Sequence, residues 1–479
     1  MIRMSVSDVL AATGSTLVEG DGQTTFEGME IDSRQVGPGM AFVAFRGERV
    51  DGNRYAASAL EAGAALVVVT DDPSEEALEA ARRLGGAIVR ARDDDGEEFM
   101  LRTAGAWRAM NPQWTVVGVT GSVGKTTTKE MLAAAIGSAR RVHATQGNFN
   151  NLLGVPLTLM RAPRDAEVLV VEMGMNHAGE LRRIAACARP AVVTITNVGT
   201  SHIGNLGSRE GIARAKAEVV SGMEGTGDVR ASLVLTANDD FSDFIAHEFA
   251  EPAGVAVLRV GAGAESCLWA SDTTLDADGL PSFSLMVAGE SPLGGTLSLP
   301  GRAMVADMLS AMGVVHALSI PKEEALEALC AMRPASMRLE VCQNEGTPRV
   351  INDSYNASPS SIAAALDVLC SVSCAGRRVA VIGQVGELGS ESRRLHELVG
   401  AYIAAKDVDL LVLVGDEGAQ AMREGARTMG YSEDKIEVFS NAAEAAHTIA
   451  PILTEDDVVL VKASRAIGLE RFAQEVLGS

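Results

Sequence analysis

The stretch Val116-Val117-Gly118-Val119-Thr120-Gly121-Ser122-Val123-Gly124-Lys125-Thr126-Thr127-Thr128 constrains this chain more than any other. Apolar residues run into a Gly-rich turn, then Lys-Thr, then a helical sequence. That is the order strand, loop, helix N-terminus, in which backbone N–H groups and the helix dipole converge on an anion. Gly121 and Gly124 let the backbone crowd a phosphate, Lys125 reaches the β/γ-phosphates, and the Thr126 hydroxyl is placed for Mg²⁺. The candidate nucleotide contacts are Gly121, Ser122, Val123, Gly124, Lys125, Thr126 and Thr127. Val119 stands where the strict G-x-x-x-x-G-K-[ST] pattern has its first Gly, while the T-G-x-x-G-K-T form is intact. A Gly-rich turn with a surface lysine would also fit these letters, but the strand before and the helix after favour nucleotide binding.

The 479 residues are enough for about three domains at roughly 150 residues each. A net charge of −22 argues against nucleic acid and anionic membranes as partners. Any phosphate ligand must therefore be met by a local site. The run Asp93-Asp94-Asp95-Gly96-Glu97-Glu98 is expected to be a solvated loop. The six cysteines show no C-x-x-C pair or zinc spacing and read as free thiols of a reducing compartment. The start of the chain has no apolar signal segment, and no stretch reaches bilayer length. A cytoplasmic protein without membrane insertion is expected.

The fold class read from the pattern is α/β. Residues 1–108 form a small N-terminal α/β domain, with Ser5 capping a short helix and strands at 40–45 and 65–69. Residues 109–335 form a central P-loop domain, with strands at 167–172, 191–196 and 233–235 beside the one entering the phosphate loop. Continuous apolar strands separated by helices predict a parallel sheet covered on both faces. From Gly254 to Pro300 short, alternating, Gly-rich segments predict an antiparallel addition. Residues 336–479 form a third, Rossmann-like α/β domain with strands at 349–352, 379–382, 410–414 and 458–461. Ligands of such sheets sit at the carboxyl ends of the strands.

Three residues outside the loop are candidates for chemistry. Glu172 ends an apolar strand, where a carboxylate can hold Mg²⁺ against a nucleotide. His202 follows another apolar strand, and Lys216 sits in a plain helical sequence. Spacing alone leaves the last two as ordinary structural or solvated residues.

Longer stretches go further. The N-terminal part carries Asp32-Ser33-Arg34, 38–44 and Asp51-Gly52-Asn53. The central part carries 120–125, Thr128-Lys129-Glu130-Met131, Gly147-Asn148-Phe149-Asn150-Asn151 through Pro156, and Glu172-Met173-Gly174-Met175-Asn176-His177-Ala178-Gly179-Glu180. The last part carries Met337-Arg338-Leu339-Glu340, Asp353-Ser354-Tyr355-Asn356-Ala357-Ser358-Pro359 and Glu387-Leu388-Gly389. Across all three parts the chain resembles the Mur ligases. The Asn-rich and Met-Gly-Met-Asn-His-Ala-Gly-Glu stretches are similar to the branch that joins D-alanyl-D-alanine to UDP-N-acetylmuramoyl-tripeptide.

The resemblance implies a three-domain, ATP-dependent amide ligase of peptidoglycan precursor synthesis, working as a monomer through an acyl phosphate. Its cofactors would be ATP and two Mg²⁺ ions. By similarity, Thr126 and Glu172 hold the first ion and His202 the second. Lys216 falls where the family carries a carbamylated lysine that supports that metal. Asn148 and Asn151 face the acceptor, Arg338 reaches the ATP phosphates, Asp353 contacts the ribose, and Ser33 and Arg34 are candidates for the UDP end. The catalytic set is then Lys125, Glu172, His202, Lys216 and Arg338. Closure of the third domain over the second is expected about a hinge near Met332-Arg333-Pro334-Ala335-Ser336.

The chain also departs from the family. The family's G-x-H-N-x-x-N segment is Gly301-Arg302-Ala303-Met304-Val305-Ala306-Asp307 here, without the His or either Asn, so no adenine ligand is assigned. Gln384 replaces an Asp, Ala463 a Gly, and Asn53 a common His. Two other functions stay open at this point. One is a relative adding a single amino acid, against which the absence of D-N-P-[RK] counts. The other is a P-loop ATPase switch that ligates nothing.

Overall fold

A computed structural model describes residues 1–47, 50–261 and 263–478. Its centre is a nine-stranded sheet. In spatial order the strands are Val142–Ala144, Val168–Glu172, Thr115–Thr120, Val192–Ile195, Ser232–Thr236, Ala256–Val260, Leu268–Leu275, Pro281–Val287 and Leu293–Thr296. The first six pair in parallel. Val168–Glu172, Thr115–Thr120, Val192–Ile195 and Ser232–Thr236 are mostly apolar runs buried on both faces, as a helix-covered parallel sheet requires, while Val142–Ala144 and Ala256–Val260 are largely half-buried. The Gly254–Pro300 segment is only partly the expected antiparallel addition. Ala256–Val260 extends the parallel sheet, and antiparallel pairing begins between Leu268–Leu275 and Pro281–Val287. Those later strands alternate in burial, the pattern of a sheet with one wet face.

Register decides where chemistry can occur. Thr115–Thr120 lies between Val168–Glu172 and Val192–Ile195, with Glu172 opposite Val119 and Ile195 opposite Thr120. The phosphate loop, Glu172 and the segment after Ile195 therefore leave the sheet side by side at its carboxyl end. Helix Lys125–Gly137 follows the loop, and helix Ala303–Ala317 packs against it. The second helix is apolar almost all round and lies directly on the sheet. A Cβ at its Gly313 would come within 2.7 Å of Val234 and 2.8 Å of Val260.

The N-terminal sheet has the order Thr16–Glu19, Ala87–Arg90, Leu66–Val69, Ala41–Val43, Met29–Glu30, parallel except for its first strand. Ser5 caps helix Val6–Thr13 in a reciprocal capping box with Asp8. The acidic run is not simply a solvated loop. Asp95 caps helix Gly96–Ala109 by accepting from the Glu98 N–H at 2.9 Å, and Glu97 and Glu98 fill its first turn. Acidic residues there complement the helix dipole. Arg183 of the central domain pairs with Glu97 at 2.6 Å and Glu98 at 3.1 Å. At the other end of that helix, the buried Trp107 ring meets Trp114 edge to face at 6.1 Å. Such a pair contributes about 0.5–1.5 kcal/mol beyond its buried area.

The third domain has six strands in the order Glu340–Cys342, Arg349–Asn352, Val458–Lys462, Arg378–Gly383, Leu410–Val414, Ile436–Phe439, parallel after the first. All six cysteines are free, and burial pushes the Cys187 thiol up to about 12. Among the described residues no helix is long and apolar enough to cross a membrane.

Candidate functional site

The phosphate loop is held from behind by the segment after Val192–Ile195. Asn197 accepts from the Val123 N–H at 3.0 Å and returns a hydrogen bond from Nδ2 to the Val123 carbonyl at 2.9 Å. Its own carbonyl accepts from the Ser122 N–H at 3.0 Å. Thr196 Oγ1 donates to the Val123 carbonyl at 2.5 Å. The loop is thus pre-formed, which lowers the ordering cost of binding an anion. Gly121 and Gly124 sit at φ +151° and +85°. A Cβ on Gly121 would lie 1.9 Å from Thr196 Oγ1, and one on Gly124 would lie 2.4 Å from Asp307 Oδ1, so both positions require glycine.

Lys125 Nζ donates to the Gly121 carbonyl at 2.8 Å. Burial lowers its pKa, against the pull of Glu172 and with reinforcement from Arg338. Glu172 is 2% exposed. Its Oε1 accepts from Asn150 Nδ2 at 2.8 Å, while its Oε2 is buried without a partner. An ionised oxygen left bare at that depth is costly unless a cation meets it. Among the described residues no three His, Cys, Asp or Glu side chains cluster as a self-sufficient metal site. That donor set still fits Mg²⁺, which takes one or two protein oxygens and completes its shell with water and nucleotide phosphates. Glu172 and Thr126 are the residues that would hold it.

One cavity of about 750 Å³ joins these groups to the third domain. Lys125, Thr126, Asn148, Asn151, Glu172, His202, Arg338 and Asp353 all line it. Arg338 lies over the Tyr355 ring, 4.1 Å from its centroid, and donates to Thr126 Oγ1 at 3.2 Å. Lys462 holds Asp353 through a 2.5 Å contact to Oδ2 and also donates to the Asn356 carbonyl at 3.1 Å. His202 Nδ1 lies 2.7 Å from Glu387 Oε2 of the third domain. The contact is close, but its geometry falls short of an aligned hydrogen bond.

Three candidates lie elsewhere. Ser33 and Arg34 do not line this cavity; Arg34 pairs with Asp32 at 2.7 Å on the first domain, and its side chain is open to solvent. Lys216 also does not line it and is 2% exposed in helix Arg209–Ala217. Burial brings its pKa well below the ordinary lysine range, the nearby Lys125 charge lowers it further, and Asp239 opposes. Asn151 lines the cavity, yet its Oδ1 accepts the Gly154 N–H at 2.9 Å and so starts helix Gly154–Arg161.

Other contributors escaped the sequence reading. Asn150, not its neighbours, holds Glu172. Asn197 braces the loop, and Lys462 holds Asp353. Asp307 fills the space beside Gly124, where burial raises its carboxyl pKa to about 8 against the influence of Thr128. An Asn two residues past a strand adjoining a phosphate loop is a signal that would have found Asn197; the others depend on tertiary approach.

A parallel sheet carrying a phosphate loop, a buried carboxylate with one bare oxygen, and an arginine reaching in from a following α/β domain define a multidomain nucleotide-binding protein of the P-loop class. Residues 119–315 match the Mur ligase middle domain, 337–465 the Mur ligase glutamate ligase domain, and 25–94 the Mur ligase family catalytic domain. The chain belongs to the Mur ligase family. It is 30% identical to the UDP-N-acetylmuramoyl-tripeptide–D-alanyl-D-alanine ligase of Bacillus subtilis, over 100% of this chain and 99% of that one. It superposes on MurF from Acinetobacter baumannii with a TM-score of 0.88, 28% identity and full coverage of both chains. MurF from Thermotoga maritima in complex with ADP matches with a TM-score of 0.78 and 25% identity, over 94% of this chain and 97% of that one.

Proposed function

We propose that this protein is an ATP-dependent ligase that joins D-alanyl-D-alanine to UDP-N-acetylmuramoyl-tripeptide. The observation that carries the reading is the single cavity lined at once by the phosphate loop, the Asn148–Asn151 loop and the third-domain residues Arg338 and Asp353. A nucleotide and a second substrate fit side by side there. The ADP complex of the Thermotoga protein and the name of the Bacillus relative supply the substrate classes.

A carboxylate is a poor acyl donor because its leaving group would be oxide. Transfer of the ATP γ-phosphoryl to the tripeptide carboxylate breaks a P–O bond of ATP, forms a mixed anhydride and releases ADP. The dipeptide amine then attacks the acyl carbon, loses a proton and expels phosphate, leaving an amide. Lys125 and Arg338 stabilise charge on the transferring group from opposite domains. Asn197 and Thr196 keep the loop in place. Asn150 orients Glu172, Asp353 takes the ribose, Asn148 and Asn151 face the acceptor, and Ser33 and Arg34 meet the uridine end. Thr126 and Glu172 would hold a Mg²⁺ ion, which would supply positive charge against phosphate oxygens, and His202 would serve a second ion. Lys216, whose burial favours the neutral amine, is suited to carbamylation, because only the neutral amine reacts with CO₂.

Amide formation tested against UDP-MurNAc-peptides and D-dipeptides decides the matter. The expected result is ADP release that requires both the UDP-tripeptide and D-alanyl-D-alanine. ATP turnover indifferent to either substrate would overturn the ligase reading in favour of a switch. Turnover with a shorter UDP-peptide and a free amino acid would favour a single-residue ligase.

A further inference from the structure

Two loops from different domains meet at His202 and Glu387, and neither has ordinary backbone geometry. His202 has φ +62° and Glu387 φ +62°, both in the left-handed region that side chains other than glycine rarely adopt. Each such residue carries a local conformational cost and persists where its surroundings impose it. Here the surroundings are each other. The Gly204 N–H donates to the Glu387 carbonyl at 3.3 Å. Gly204 and Gly389 approach so closely that a Cβ on Gly204 would lie 2.7 Å from the Gly389 nitrogen and 3.0 Å from the Glu387 oxygen. The backbone contact sets Glu387 Oε2 2.7 Å from His202 Nδ1. Both residues line the cavity.

A carboxylate packed against the Nδ1 side of an imidazole limits how the ring can turn and leaves its Nε2 for a ligand. We propose that Glu387 is a positioning residue that reaches from the third domain to orient His202 toward a divalent cation, so that the His202 cation site is complete only when the two domains are in contact. The inference rests on the proposed role of His202 as a ligand. Glu387 touches no substrate in this scheme and acts through the ring. The seam at Gly204 and Gly389 makes the coupling steric as well as electrostatic: anything that parts these backbones withdraws the carboxylate.

Mn²⁺ binding to the full-length protein, followed by electron paramagnetic resonance and calorimetry with ADP present, tests this with four chains: wild type, His202→Ala, Glu387→Gly and Gly204→Ala. Glycine at 387 relieves the left-handed backbone, so the fold is not weakened and a purely structural role would leave Mn²⁺ affinity unchanged. Gly204→Ala forces the seam apart without altering either side chain. The expected result is loss of one Mn²⁺ in His202→Ala, and weakening of that same site by about tenfold or more in both Glu387→Gly and Gly204→Ala. Metal-free ADP affinity should be unaltered in all four. Wild-type Mn²⁺ affinity in both Glu387→Gly and Gly204→Ala, with the ion still lost in His202→Ala, would overturn the positioning role alone. Unchanged Mn²⁺ stoichiometry in His202→Ala would overturn the ligand role of His202, and the inference with it.

Discussion

Arg338, from the third domain, donates through Nη2 to the Thr126 hydroxyl of the phosphate loop at 3.2 Å. The two residues are 212 positions apart in sequence, and the bond bridges the cavity in which a nucleotide would lie. Arg338 is braced from behind by Tyr355, so its guanidinium is already aimed at the loop. Arg338→Ala should therefore lower kcat by about 10²- to 10³-fold, the usual cost of removing one donor to developing charge. The phosphate loop itself is untouched by this change, so binding of ADP should weaken far less than kcat. Steady-state kinetics beside ADP calorimetry separates the two. Weakened ADP binding with kcat unchanged would make Arg338 a ground-state binder only.

Lys125→Ala should abolish amide formation while leaving thermal unfolding near the wild-type value. The side chain donates to carbonyls of its own loop, Gly121 and Ser122, so its removal breaks no hydrogen bond to another element. Its removal deletes a charge from the transferring phosphoryl, a loss of several kcal/mol in the transition state. Circular dichroism melting together with a phosphate-release assay checks both halves. Near-normal phosphate release from a folded variant would remove Lys125 from the chemistry.

The strand framework was legible because buried parallel strands are written as unbroken apolar runs. Val168–Glu172, Val192–Ile195 and Leu410–Val414 all lie where those runs predicted. Ser5 and the Gly-rich loop were equally plain, since caps and left-handed turns restrict residue choice locally. The start of helix Gly96–Ala109 was missed because its acidic residues suit a solvated loop as well as a helix N-terminus. What no local rule encodes is approach between distant segments. Asn150 rather than Asn148 meets Glu172, Asn197 returns to Val123, and Glu387 comes within 2.7 Å of His202. These pairs depend on sheet order and domain docking, and a linear pattern carries neither.

Lys216→Ala should be strongly impaired, and short carboxylic acids should partly restore it by standing in for a carbamate. The lysine is buried and its pKa lies well below the ordinary range, so the neutral amine predominates at lower pH than for an exposed lysine. Wild-type activity should accordingly fall when dissolved CO₂ is stripped and recover with bicarbonate, while Lys216→Ala should ignore bicarbonate. Activity of Lys216→Ala equal to wild type would return this residue to a packing role.

Asp307 gives a pH dependence with a definite sign. Burial raises its carboxyl from 3.8 to about 8, so the folded chain keeps a proton that the unfolded chain releases. Between these values the native state binds more protons, and stability must fall as pH rises. Asparagine has nearly the same shape and no charge to lose. Asp307→Asn should therefore be more stable than wild type at pH 8, and the difference should shrink toward pH 4 by at most about 1.4 kcal/mol per pH unit. The same carboxyl lies against Gly124, so above pH 8 its ionisation places a negative charge beside the phosphate loop. ATP affinity of the wild type should then decline between about pH 7 and 9, roughly one unit either side of the Asp307 pKa, while that of Asp307→Asn stays level. Denaturant titrations at several pH values, paired with ATP calorimetry, measure both effects. A stability difference independent of pH would mean that Asp307 is ionised in the folded protein and that another group neutralises it.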